Sequence, residues 1–335
     1  MSNQSVFITG GAGYCGSRLV PQLLSSGYRV TVYDIMYFGS DFLPINDPNL
    51  KIVIGDIRDS EKLYESAKGH DFFVSLACIS NDASFELDEK LSTSVNLHAF
   101  EPMVLAAKKA GIKRFIYASS SSVYGISDKK NVTEEHPLVP LTLYNKYKGM
   151  CEPILLKHID DNFEGVIFRP ATVCGYAPRL RLDLSVNILT NHGYHNNLVK
   201  VFGGSQLRPN LHIQDYCDAV QIFIESPEEK INKQIFNVGY QNKSIMEIAK
   251  IVKNVINKIE PEREEIKIEV TSSNDNRSYH INSDKIYDFL GFKPRHTIEN
   301  AVEELSNYFL DKNLSDTFTN DYYHNVKRIL NLESK

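Results

Sequence analysis

Short apolar runs alternate with stretches of helical period through the first half of the chain. Val6-Phe7-Ile8, Tyr28-Arg29-Val30-Thr31-Val32-Tyr33, Lys51-Ile52-Val53-Ile54, Phe72-Phe73-Val74-Ser75-Leu76-Ala77, Phe115-Ile116-Tyr117-Ala118 and Gly165-Val166-Ile167-Phe168 each read as a strand. Between them the pattern predicts a helix from Tyr14 to a C′ residue at Gly27, a second ending at Ala67, a third over Leu87–Ala110 stopped by Gly111, and a long one opening at Leu143. Pro21 lies inside the first helix, where a kink or an early turn is expected. Strands alternating with helices predict an α/β fold built on a doubly wound parallel sheet.

Beyond Pro170 the alternation loosens, as in a smaller mixed α/β unit. Ser244 and Glu247 make a capping box for a helix whose Ile245, Ile248, Ala249, Val252 and Ile256 recur at helical spacing, which is a packing signal. Ser283–Leu290 with Gly291 as C′ residue, Glu299–Phe309 and the segment around Arg328-Ile329-Leu330-Asn331-Leu332 read as further helices. The last of these suggests no chemistry. Residues 1–170 are expected to form one region, and 171–335 mainly a second with some segments returning to the sheet.

Composition narrows the partners. The 335 residues are 42% hydrophobic, enough for a sizeable core, and Lys plus Arg (37) nearly balances Asp plus Glu (42). No general basic field is left to hold nucleic acid or an anionic membrane. The five cysteines include no C-x-x-C pair, the first strand begins almost at once, and no apolar run approaches the ~18 residues of a membrane span. A cytoplasmic location is expected, and Asn131-Val132-Thr133 is then a chance glycosylation match. His192 and His195 have no nearby Cys or carboxylate cluster, so no metal site is expected.

The chemistry begins at Thr9-Gly10-Gly11-Ala12-Gly13-Tyr14-Cys15-Gly16, between the first strand and the first helix. Glycines at such a turn let a pyrophosphate approach unpaired N–H groups at a helix N-terminus. Asp34, at the end of the second strand, has the spacing of a ribose-binding carboxylate. Tyr144 and Lys148 stand one helical turn apart and share a face. A phenol with an ordinary pKa near ~10 needs lowering by roughly 3 units, about 4 kcal/mol, to act as a base at neutral pH. A cation at ~4 Å in an effective dielectric of about 20 supplies that much. Ser120, at the end of its strand, can hydrogen-bond the same substrate oxygen. Cys15 and Cys78 read as small buried thiols.

Thr9-Gly10-x-x-Gly13-x-x-Gly16, Asp34, Gly55-Asp56-Ile57, Leu76-Ala77, Tyr117-Ala118-Ser119-Ser120-Ser121-Ser122-Val123-Tyr124-Gly125 and Tyr144-x-x-x-Lys148 together resemble the extended short-chain dehydrogenase/reductase family. The resemblance is to its nucleotide-sugar epimerases and dehydratases. It implies a Rossmann-type sheet with a substrate-binding domain, and NAD held by Gly10, Gly13, Tyr14, Cys15, Gly16, Asp34, Asp56, Ile57, Leu76, Ala77, Tyr144 and Lys148. Ser120, Tyr144 and Lys148 would be the catalytic set, with Asp34 selecting NAD over NADP. On the substrate side it implies Ser121, Thr172, Asn187, Val201, Arg208 and Arg277, with Val201 beside the base and the two arginines on the sugar nucleotide's pyrophosphate. A homodimer through Leu87–Ala110 and Tyr144–Ile159 is also implied, although Pro102 and Pro153 lie inside those stretches.

Two departures shape the functional expectation. Where 4,6-dehydratases of the family carry Asp-Glu, this chain has Ser121-Ser122, and unperturbed hydroxyls are poor proton donors and acceptors. Thr172 stands where many epimerases carry Asn, and a hydroxyl offers fewer bonds than an amide. The expectation is an NAD-dependent nucleotide-sugar 4-epimerase working through a transient 4-keto sugar. A 4-dehydrogenase, ketoreductase or dehydratase on the same scaffold stays open, as does a non-catalytic NAD-binding regulator.

Overall fold

The computed structural model describes residues 4–80, 82–127, 129, 131–272 and 278–333. Strands β1 (Ser5–Thr9), β2 (Arg29–Asp34), β3 (Leu50–Ile54), β4 (Phe72–Ser75), β5 (Arg114–Ala118) and β6 (Glu164–Pro170) pair in parallel and take β10 (Gln234–Val238) at one edge. The seven-stranded order is β10-β6-β5-β4-β1-β2-β3. The chain moves outward one way from β1 through β2 and β3, then the other way from β4. The switch point between β1 and β4 opens a crevice at the strands' carboxyl ends, where ligands bind in sheets of this kind.

Both faces of the sheet are buried, which is why its strands are apolar runs and do not alternate. Helices α1 (Tyr14–Ser25) and α8 (Ile213–Glu225) pack together over one face, around Val6, Ile8, Leu19, Leu23, Val220 and Phe223. On the other face α2 (Ser60–Ala67), α5 (Phe100–Lys109) and α6 (Leu143–His158) cover Phe7, Phe73, Phe115 and Ile167. Phe73 and Phe115 stack across neighbouring strands with centroids 4.6 Å apart.

Outside the large sheet, β7 (Thr172–Cys174), β9 (Leu207–His212) and β11 (Gln241–Ser244) form a three-stranded sheet, and β8 (Leu198–Phe202) pairs with β12 (Lys267–Thr271). Helices α7 (Ser185–Asn196), α10 (Ile245–Ile259) and α12 (Ile298–Lys312) enclose a separate core with Val186, Val199, Val252 and Ile298. The Ser244–Glu247 capping box forms, and Gly291 ends α11 (Asp284–Leu290) in the left-handed region at φ +69°. The short α9 (Glu228–Ile231) precedes β10, and α13 (Asn325–Glu333) is the last helix. Among the described residues no helix is long and apolar enough to cross a membrane.

Two local expectations are corrected. Helix α1 runs through Pro21 without an early turn and closes where expected, with Ser26 as C-cap and Gly27 as C′ residue at φ +88°. Its buried Leu19, Val20, Leu23 and Leu24 each contribute about 1.5–3 kcal/mol, which outweighs the ~3 kcal/mol cost of an interior proline. The single helix expected over 87–110 is in fact α4 (Glu89–Thr93), a π-helical turn (Ser94–His98) and α5, preceded by the short α3 (Asp82–Phe85). Asn96 explains the break: its side chain accepts from Ile79 N and donates to Ile79 O, both at 2.9 Å, pinning the helix to the loop after β4.

Candidate active site

A cavity of about 500 Å³ occupies the crevice at the switch point. One end is built on the glycine turn. Gly10 has φ +75°, and a Cβ there would lie 2.6 Å from the Ala77 nitrogen; on Gly16 it would lie 2.4 Å from the Gly11 oxygen. These two glycines let the loop close on β4 and the helix close on the loop. Gly13 is different, because a Cβ would meet only the Gly10 oxygen, at 3.2 Å, and the remaining space is open. It occupies the N-cap of α1, where no side chain caps the helix. The first-turn N–H groups are therefore left to a ligand.

Asp34 stands beside this turn, its carboxylate accepting from Ala12 N at 3.0 Å and Met36 N at 2.9 Å. Burial raises its pKa, and those backbone bonds hold it back. Cys15, Asp56, Ile57, Leu76 and Ala77 line the same cavity. Tyr14 lines it too, but its hydroxyl is spent on the Gly175 carbonyl at 2.6 Å. Burial pushes the Cys15 thiol up to about 12, so it stays neutral. A glycine-floored helix N-terminus with a carboxylate at the next strand end fits the diphosphate and ribose of a dinucleotide.

At the other end, Ser120, Tyr144 and Lys148 line the cavity together. Thr142 caps α6, with Oγ1 accepting from Asn145 N at 3.3 Å and donating to Asp82 Oδ1 at 2.6 Å. Ser120 and Ser122 hydroxyls lie 2.7 Å apart, and Ser122 Oγ donates to Asn145 Oδ1 at 2.5 Å. Lys148 Nζ donates to Ala118 O at 2.7 Å. Burial and the neighbouring Cys78 hold the Tyr144 phenol well above its ordinary pKa, and Arg181 is the cation that draws it down. Lys148, the expected partner, lines the same cavity and spends one of its three N–H groups on the end of β5.

On the substrate side Ser121, Thr172 and Arg208 line the cavity, and Arg208 Nη1 donates to Leu207 O at 3.0 Å. Asn187 and Val201 do not line it. Asn187 is fully buried and uses its amide on Gly175 N, Gly175 O and Arg181 O, so it braces the loop after β7. Val201 packs in the core beneath α10. Arg277 lies outside the described residues.

Four residues that carried no role in the sequence also line the cavity: the pair Arg179 and Arg181, and Asn325 and Ile329 of the last helix. A signal was available. In Arg179-Leu180-Arg181-Leu182-Asp183 the two leucines are buried, so in an extended segment the three charged residues share the other face.

The model of the NAD dependent epimerase/dehydratase family matches residues 6–239. The chain is 26% identical to a UDP-glucose 4-epimerase of Rhizobium meliloti, over 93% of this chain and 99% of the relative. It is 29% identical to a dTDP-glucose 4,6-dehydratase of Streptomyces niveus, over 65% and 68%. The solved structure of DesIV, a dTDP-glucose 4,6-dehydratase from Streptomyces venezuelae with NAD bound, superposes with a TM-score of 0.81 at 21% identity, covering 92% of this chain and 97% of that one.

Proposed function

The chain belongs to the NAD-dependent epimerase/dehydratase family, and from that premise we propose that it is a nucleotide-sugar 4-epimerase. Among its relatives are both 4-epimerases and 4,6-dehydratases, so the choice rests on the side chains of this cavity. When bound, NAD supplies an acceptor that takes a hydride and can give it back. Gly10, Gly13 and Gly16 would floor its diphosphate and Asp34 its ribose. Tyr144 Oη takes the proton of the sugar's 4-hydroxyl and returns it, while Ser120 Oγ holds that oxygen. Thr172, Ser121 and Arg208 face the sugar nucleotide, where a guanidinium offers paired bonds to phosphate.

The observation that carries this reading is the pair Ser121-Ser122 where a dehydratase needs an acid and a base. Ser122 is committed to Asn145 and Ser120, and neither hydroxyl can shuttle protons at C5 and C6 at neutral pH. Inversion at C4 needs no such pair, because one oxygen loses and regains one proton. Asp82 is the carboxylate that makes dehydration the reading to test against: it lines the cavity and its charge acts on Tyr144, while it accepts from Thr142.

The test is incubation with UDP-, GDP-, CDP- and dTDP-sugars in D2O, with products read by mass spectrometry and NMR. A mass-neutral product inverted at C4 without solvent deuterium is expected. Loss of water with deuterium uptake would overturn the proposal, as would stoichiometric accumulation of NADH. Tyr144→Phe should abolish turnover and leave NAD bound.

A further inference from the structure

Arg179 and Arg181 are buried at 4% and 7% exposure, and both line the cavity. Each keeps a buried N–H group without a partner among the described residues, Nε of Arg179 and Nη2 of Arg181. A buried unsatisfied donor is costly, and for a charged group more so. The other bonds of the pair are made with care: Arg181 Nε to Asp183 Oδ1 at 2.5 Å, Arg181 Nη1 to Ser80 Oγ at 3.1 Å, and Arg179 Nη2 to Asn325 Oδ1 at 2.6 Å. The Arg179 guanidinium lies 3.5 Å from the centroid of the Phe38 ring. An anion in the cavity would supply the charge-assisted partner that both guanidinium groups can still use.

The surroundings say where that anion sits. Arg179 N donates to Ser17 Oγ, in the first turn of α1, and the Arg179 charge is felt by Asp34. The Arg181 charge is felt by Tyr14, Cys15 and Tyr144. The pair therefore spans the cavity from the ribose carboxylate to the tyrosine, alongside the helix N-terminus. Burial first, then the like charge of Arg181, push Arg179 down to about 9. Arginine keeps its proton at neutral pH, so Arg179 is a buried positive charge in the cavity wall. Asp183 is bonded to Arg181, and Asp34 already accepts its two backbone bonds.

The loop is also held from three sides before any ligand arrives. Asn187 binds the Gly175 and Arg181 main chain, Leu182 N donates to Tyr323 O at 2.9 Å, and Asn325 bridges Arg179, Ser80 and Asp183. Preorganised donors bind an anion without the cost of ordering them.

We propose that Arg179 and Arg181 clamp the diphosphate of the bound dinucleotide, completing from the second half of the chain and its C-terminal helix a site that the glycine turn begins. The cofactor is then gripped by backbone N–H groups on one side and by the two buried guanidinium groups on another.

Isothermal titration of NAD, ADP and adenosine into NAD-stripped protein tests this, using Arg179→Met, Arg181→Met and the corresponding lysine variants. A lost charge-assisted bond corresponds to about a ten- to hundredfold change. Each methionine variant should weaken NAD and ADP by that factor and leave adenosine within about threefold. The lysine variants should recover part of the loss, because they restore the charge without the fork. They also report if a methionine variant has misfolded, which its thermal melt will show. Equal weakening of ADP and adenosine, or unchanged ADP affinity in folded variants, would overturn the clamp. So would a loss confined to the binding of UDP-glucuronate relative to UDP-glucose by NAD-loaded protein, which would put the anion on the sugar.

Discussion

Beneath the serine loop lies a buried ion pair whose removal has a calculable consequence. Glu152 of α6 and Arg169 of β6 are exposed at only 3% and bridge at 2.6 Å (Arg169 Nη2) and 2.9 Å (Arg169 Nε). Glu152 also accepts from Ser119 Oγ at 2.6 Å, and Arg169 Nη1 donates to Tyr124 Oη at 2.7 Å and to Glu134 O at 3.1 Å. Tyr124 in turn donates to Asn237 on β10. The network therefore ties both ends of Ser119–Tyr124 to three different elements. Glu152→Gln keeps the shape and one acceptor but leaves a guanidinium buried without its counter-ion, which costs about 3–5 kcal/mol.

The expected change in melting temperature follows from chain length. An unfolding entropy of about 2.1 cal/mol/K per residue over 335 residues gives roughly 0.7 kcal/mol/K, so Tm should fall by about 4–7 °C. Scanning calorimetry at pH 7 measures this directly. The double variant Glu152→Met with Arg169→Met removes both charges and replaces them with apolar stems. It should regain at least half of the loss, since a buried pair and a packed apolar pair are close to break-even. A single variant melting within about 1 °C of the parent, or a double variant melting below the single, would refute the reasoning. Because Ser119 precedes Ser120, kcat should also fall in Glu152→Gln while NAD affinity stays unchanged.

Three other predictions follow from separate features. Gly13→Ala adds a methyl group that meets only the Gly10 oxygen, so the cofactor-free protein should melt within about 2 °C of the parent. Its NAD affinity should fall at least about tenfold, because the methyl stands where the diphosphate must approach; unchanged affinity by titration would count against the cradle. Burial chiefly holds the His70 imidazole, placed 2.8 Å from Thr31 Oγ1, below its ordinary pKa. The unfolded chain then binds more protons than the folded one as pH falls through about 6.5, so His70 subtracts stability on the acid side and not above it. Urea midpoints of His70→Asn should decline less than the parent's between pH 6.5 and 5, and parallel curves would dismiss the effect. We also propose a homodimer through α5 and α6, where Leu105 and Met150 are exposed at 46% and 42%. Light scattering should show a dimer that Leu105→Glu with Met150→Glu converts to monomer, and a monomeric parent at micromolar concentration would reject the interface.

What could be read from the chain alone was whatever is decided within a dozen or so residues. The glycine turn, Asp34 and the Tyr144–Lys148 spacing are set by a strand end, a helix start and a helical turn, and each lies on the cavity where that local logic puts it. Lys148 shows the limit, since spacing brings it to the tyrosine's face but cannot show that the Ala118 carbonyl, thirty residues away, holds its ammonium. Asn187 fails for the same reason: its amide is consumed by Gly175 and Arg181, so a position that resemblance assigns to the substrate braces a loop instead. The arginine pair carried no role in the sequence because two charges in a loop ordinarily stay in water, where they need no partner. Burying them requires Asp183, the Ser17 hydroxyl and Asn325, the last 146 residues further along the chain than Arg179. The tail that carried no legible chemistry is therefore what allows charge to be stored in the cavity wall. A side chain held there by so distant a brace is fixed in position only once the whole chain has folded.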